Sequence, residues 1–201
     1  MILWEQIREY FERDAVRFIE HDGTSRVLEV DMRLTDHDIH LRVAYDEENG
    51  VVAYEVPHMD LPRRLPRNRH ELRRALLLLN SCYLLGAFSE NQQGRVSFGI
   101  MVIIEGNELP YAAHRRILKT VLVSVDRALP WLRQVAMGAL SAEDAVENIA
   151  DQTRRLEERS TAGAVIPGIP SEDDLSGDIT EREIEDFGRA LLDGNLPPPS
   201  E

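Results

Sequence analysis

The stretch Ile39-His40-Leu41-Arg42-Val43-Ala44-Tyr45-Asp46-Glu47-Glu48-Asn49-Gly50-Val51-Val52-Ala53-Tyr54-Glu55-Val56 reads as two strands and the turn between them. Ile39, Leu41, Val43 and Tyr45 recur at every second position, the period that lines one face of a half-buried strand. Asn49-Gly50 is the strongest short-range hairpin signal, because both residues tolerate the positive φ that a tight turn requires. Upstream, Val27, Glu29, Asp31 and Arg33 alternate with Leu28, Val30, Met32 and Leu34. A three-stranded antiparallel meander is therefore expected.

Ahead of these strands, Ile2, Leu3, Ile7, Tyr10, Phe11, Ala15, Phe18 and Ile19 fall at the three-and-four spacing of a helix face. That helix is expected to end near His21-Asp22-Gly23. On the other side of the meander, residues 57–66 hold three prolines and cannot continue a sheet. Asn68 is expected to cap a second helix with Leu72, Ala75, Leu76 and Leu79 as its inner stripe. With Leu77 and Leu78 widening its apolar surface, this helix is expected to be the most buried. Ala87-Phe88-Ser89, the polar turn Asn91-Gln92-Gln93-Gly94 and the apolar residues 95–105 predict a second hairpin. Pro110 opens a third helix faced by Ile117, Leu118, Val121, Leu122, Val125, Leu129 and Leu132, with Pro130 expected to bend it or begin a new turn. The fold class is α+β: helix, three-stranded antiparallel meander, helix, β-hairpin, helix, with the helices on one face of the sheet.

The chain has 201 residues, 43% of them apolar, and a formal charge of −13. Residues 141–201 hold 16 acidic and 5 basic side chains, a balance of −11, and the preceding residues hold 20 and 18, a balance of −2. A near-neutral body, residues 1–138, is thus followed by an acidic tail, residues 139–201. The tail is read as a surface helix over 141–159 that begins at Ser141 with Asp144, a flexible segment over 160–178, and a short helix over 179–193. An acidic chain repels polyanions, so nucleic acid is not an expected partner. No run reaches the ~18 apolar residues of a membrane-spanning helix, and charges interrupt the N-terminal apolar positions, so a soluble, cytoplasmic protein without a signal peptide is expected. Cys82, the one cysteine, is read as a small buried residue without chemistry.

With that order of elements, Arg74-Ala75-Leu76-Leu77-Leu78-Leu79-Asn80, Gly86-Ala87-Phe88-Ser89, Gly94-Arg95-Val96-Ser97-Phe98, and the helical residues 117–130 with Asp126 before Pro130 resemble the bacterial YbjN family over about residues 1–135. The resemblance implies a fold like that of type III secretion chaperones. By analogy it implies a protein-binding role, self-association into a homodimer through a wide apolar surface, and a strand edge able to accept an extended segment of a client.

Residues bearing on chemistry are few. Asp36-His37-Asp38-Ile39-His40 supplies metal-ligand types, but on a strand His37 and His40 point to opposite faces, and a polar turn explains them equally well. Glycine-rich phosphate loops and nucleophile elbows are absent from the sequence. Asn80, an amide among apolar neighbours, either ties the end of its helix to nearby backbone or faces a partner. Arg63, Arg64, Arg67, Arg69, Arg73 and Arg74 form the one basic cluster, suited to an acidic segment of a partner or to this chain's own Glu172-Asp173-Asp174. Ile184, Phe187, Leu191 and Leu192 form a stripe too short to be a stable helix alone, and a partner's apolar groove is its expected seat. The function expected is that of a non-enzymatic protein-binding module, chaperone-like or a regulatory adaptor, dimeric, with no catalytic residue, metal or cofactor. The second reading is a small-ligand sensor or an enzyme using a pocket between sheet and helix.

Overall fold

The structure, a computed structural model, describes residues 3–21, 26–34, 37–62, 66–104 and 108–161. Its elements are α1 (Leu3–Arg13), β1 (Ile19–His21), β2 (Arg26–Arg33), β3 (Asp38–Asp46), β4 (Val51–Val56), α2 (Pro66–Cys82), β5 (Ala87–Glu90), β6 (Val96–Ile103), α3 (Tyr111–Met137) and α4 (Ala142–Thr161). The fold is α+β.

The expected meander and the expected hairpin are both present, and they belong to one antiparallel sheet of order β1-β2-β3-β4-β6-β5. Backbone pairing of β4 with β6, from Val56↔Phe98 to Val51↔Ile103, joins them. The β3–β4 hairpin forms where Asn49-Gly50 signals one, but its loop is the four residues 47–50 between the paired Asp46 and Val51, with Gly50 and not Asn49 in the left-handed region. Gly50 has φ +62°, and the Asp46 carboxylate accepts hydrogen bonds from the Asn49 backbone N–H at 3.2 Å and from Asn49 Nδ2 at 2.7 Å.

One face of the sheet carries the core. Leu28, Val30, Leu41, Val43, Val52, Tyr54, Val56 and Phe98 are fully buried there beneath Ile7, Phe11, Leu72, Leu79, Val121, Leu129 and Leu132 of the helices. Burying each such side chain contributes roughly 1.5–3 kcal/mol, which is what holds the helical layer on the sheet.

Several expectations are corrected. Helix α1 ends at Arg13 rather than near His21. Val16 N–H bonds Phe11 O at 2.9 Å and Ala15 N–H bonds Glu12 O at 3.1 Å, the two bonds of a Schellman ending. Ala15 takes the left-handed φ of +53° that this ending requires. Beyond it Ile19 enters β1, opposite Glu29. The apolar spacing past residue 13 belongs to a strand and its approach. Asn68 does not cap α2, which begins at Pro66. Buried inside the helix, its Nδ2 donates to Ala136 O at 3.2 Å and so satisfies a carbonyl at the end of α3.

Cys82 is exposed, because α2 stops there and Tyr83 turns inward instead, against Phe88 and Phe98. The most buried helix is α3, not α2. It packs against α1, α2, α4, β4 and β6 and buries ten of its residues, whereas Leu77 of α2 is 71% exposed. Pro130 does not begin a new turn: its ring is exposed, and the helix runs through it to Met137 at the cost of one backbone hydrogen bond.

Ser141 begins α4 as expected, its hydroxyl accepting from Asp144 N–H at 3.1 Å. Placed by the sequence in the tail, α4 packs on α2 and α3 and adds Ala142, Ala145 and Ile149 to the same core. The Glu71 carboxylate accepts from Ala142 N–H at 3.2 Å, and Arg74 pairs with Glu143. The segment expected to be flexible beyond residue 161, the expected helix over 179–193, and Glu172, Asp173 and Asp174 lie outside the described residues.

Candidate protein-binding surface

Strand alternation sends every second residue away from the helices, and no described helix covers that second face. Cross-strand register orders it in rows. One row runs Ile19, Glu29, Arg42, Glu55, Gly99, Ala87. Beside it run His21, Val27, Ala44, Ala53, Met101, and then Asp46, Val51, Ile103. Met101 is 78% exposed and Ile103 74%. With Val51, Ala53 and Ala44 next to them, they make a continuous apolar area bordered by a charged row. Isolated exposed apolar residues are ordinary; a contiguous group on an uncovered sheet face marks an interaction surface.

Arg42 lies between Glu29 and Glu55 on neighbouring strands, yet neither Arg42 nor Glu55 has an ion-pair partner within 4.0 Å among the described residues. Glu29 is turned toward the β1 edge. Its carboxylate meets His21 Nε2 at 3.0 Å and His40 Nε2 at 3.7 Å, while His40 Nδ1 contacts Asp31 at 2.9 Å. The hydrogen bond with His21, helped by His40, holds the Glu29 carboxyl below its usual range. This corner is polar and exposed, and it bounds the apolar area on the β1 side.

The expected site residues are distributed differently. Arg63 and Arg64 lie outside the described residues, as do Ile184, Phe187, Leu191 and Leu192. Arg67 is in the first turn of α2, and its side chain is likewise not described. Arg73 contacts one oxygen of Glu90 at 2.5 Å and Arg69 the other at 3.0 Å. Burial would raise the Glu90 carboxyl, but these two hydrogen bonds hold it low. With Arg74 paired to Glu143, the described part of the arginine cluster stitches α2 to β5 and α4. Asn80 donates from Nδ2 to Phe88 O at 2.8 Å and accepts from Phe88 N–H at 2.7 Å. Its amide thus takes the place of a neighbouring strand on the outer side of β5, and the edge of the sheet is closed there by a side chain.

The histidines diverge. His37 is buried with Nε2 3.5 Å from Asp126 Oδ1, and His40 is on the opposite face. Among the described residues no group of three or more His, Cys, Asp or Glu is placed to hold a metal ion. His114, fully buried on α3, bonds the Tyr54 hydroxyl through Nδ1 at 2.8 Å and is ringed by Tyr10, Phe11 and Tyr111. Burial, with Arg115 nearby, pushes its pKa down to about 4, so the ring is neutral.

Met101 and Ile103 are not among the site residues expected from the sequence, although the sequence carries a signal for them. Residues 96–103 are apolar on both alternating sets toward the end of the strand, as a strand covered on both faces is. No described helix is long and apolar enough to cross a membrane. No family model matches the chain, and no curated protein matches it.

Proposed function

We propose that this chain is a protein-binding module, chaperone-like or a regulatory adaptor, that works as a homodimer and by association rather than catalysis. The observation that carries this reading is the uncovered sheet face, where Met101 and Ile103 stand 78% and 74% exposed beside Val51, Ala53 and Ala44. A soluble sheet with helices on one side ordinarily presents polar residues on the other. This one presents Met101 and Ile103 beside the half-buried Val51, Ala53 and Ala44, and covering them with protein would remove that apolar surface from water. The resemblance of residues 1–135 to the YbjN family points the same way, as does the order of elements, helix, strands, helix, hairpin, helix. The β5 edge, occupied at Phe88 by Asn80, is a poor seat for a client strand, so the face rather than that edge is the working surface.

The test is affinity capture from native lysate with the full chain beside Met101→Asp and Ile103→Asp variants. Proteins held by the wild type and lost by both variants support the reading. An identical set retained by all three chains would remove the sheet face from the function.

A further inference from the structure

We infer that the occupant of the uncovered sheet face is a second copy of this chain, docked face to face about a two-fold axis that runs parallel to the strands between β3 and β4. The inference rests on the reading above and adds the interface and its register. A two-fold axis relating two stacked faces must lie in the interface, and each strand then sits over its mirror position across the axis. Here β3 lies over β4 of the second copy, and β2 over β6.

The register given by the hydrogen-bonded ladders fixes what meets what. Arg42 and Glu55 are cross-strand neighbours on β3 and β4, so the axis sets Arg42 over the second copy's Glu55, and Glu55 over its Arg42. Both are without an ion-pair partner among the described residues, and the dimer supplies one to each, twice. In the next row Ala44 falls over Ala53, which lets the backbones approach closely at the centre. Met101 falls over β2 at Val27, which is already buried within its own chain at 7% exposure. Glu29 falls over Gly99, where there is no side chain to oppose it. Shifting the axis by one strand pair, to between β4 and β6, sets Glu55 over Gly99 and leaves Arg42 over Ala87, which loses the charge match. An axis between β2 and β3 would cross Arg42 with Glu29 instead, but Glu29 already contacts His21 and His40, so Glu55 and the small Ala44 and Ala53 favour the β3–β4 axis, and the natural twist of each sheet is accommodated in aligned packing of this kind.

The test is complementation of two charge variants of the full chain, read by sedimentation equilibrium. Wild type is expected to be dimeric at micromolar concentration. The Arg42→Glu variant brings two carboxylates together at both crossings, and the Glu55→Arg variant brings two guanidinium groups together at both. Each variant alone is expected to dissociate on the order of 10- to 100-fold more readily. An equimolar mixture restores opposite charges at each crossing, so a heterodimer of near wild-type affinity is expected, a result that misfolding of either variant does not produce.

A wild type that stays monomeric at about 100 μM, or a mixture that associates no better than its parts, overturns the inference. If the monomeric wild type still captures a partner that Met101→Asp loses, the proposed function stands apart from its homodimeric form. Dimers indifferent to both charge variants place the self-association elsewhere and overturn the proposed register.

Discussion

His114 is held among Tyr10, Phe11 and Tyr54, with Nε2 buried and unpartnered among the described residues. Its pKa, pushed down to about 4 from an ordinary 6.5, means that the unfolded chain binds a proton here before the folded one does. The stabilisation from keeping this ring neutral is therefore complete above about pH 6.5 and is lost as pH falls toward 4. The loss is expected to be on the order of 3 kcal/mol. Urea unfolding at pH 7 and pH 4.5, for wild type and His114→Phe, measures it. The wild type is expected to lose more stability than the variant, and equal losses would show that His114 carries no part of the acid sensitivity. Gly86 is the second residue whose identity the packing dictates. At φ +82° a Cβ would stand 2.6 Å from Phe98 Cζ and 2.8 Å from Ile100 Cγ1. Gly86→Ala is expected to cost about 2–4 kcal/mol in chemical denaturation, combining left-handed backbone strain with overpacking. The sequence shows a glycine before a strand; only the fold shows Phe98 beneath it.

Among the elements, the helices are legible by position and harder to read at their ends. The Leu72, Ala75, Leu76, Leu79 stripe of α2 is buried as its spacing predicts. For α1 the spacing runs six residues too far, since Ala15, Phe18 and Ile19 suit a helix as well as the approach to a strand. Helix α4 illustrates the opposite limit. Its charges suggest a solvated helix, but Ala142, Ala145 and Ile149 lie on one stripe and close over α2 and α3. A chain ending at Thr161 keeps all of α4 and serves as the reference for thermal unfolding. One ending at Gly138 is expected to lose about 2–4 kcal/mol, because Ala142, Ala145 and Ile149 leave the core they share with α2 and α3. Equal stability of the two truncated chains would show that α4 is an attachment and no part of the folded body.

For the molecule as a whole, the arrangement of charge and apolar surface separates function from stability. Met101 and Ile103 are outside the core, so Met101→Asp and Ile103→Asp are expected to change the unfolding free energy of the monomer by no more than about 0.5 kcal/mol while abolishing association. Urea unfolding beside sedimentation of the same variants checks both halves of that expectation. The arginine cluster shows the converse: its described members hold α2 against Glu90 and Glu143, so removing them is a matter of stability first.

Read alone, the order of amino acids specifies the class of the fold, the hairpin turns and the apolar faces of strands and helices, because alternation, helical spacing, Asn-Gly and proline act over a few neighbouring residues. Packing of the chain was needed to specify that β4 pairs with β6, that Asn68 serves the end of α3, that Asn80 closes the β5 edge, and that no described helix covers one face of the sheet. Each of these depends on which element arrives beside another from tens of residues away, and no local pattern of side chains encodes that encounter.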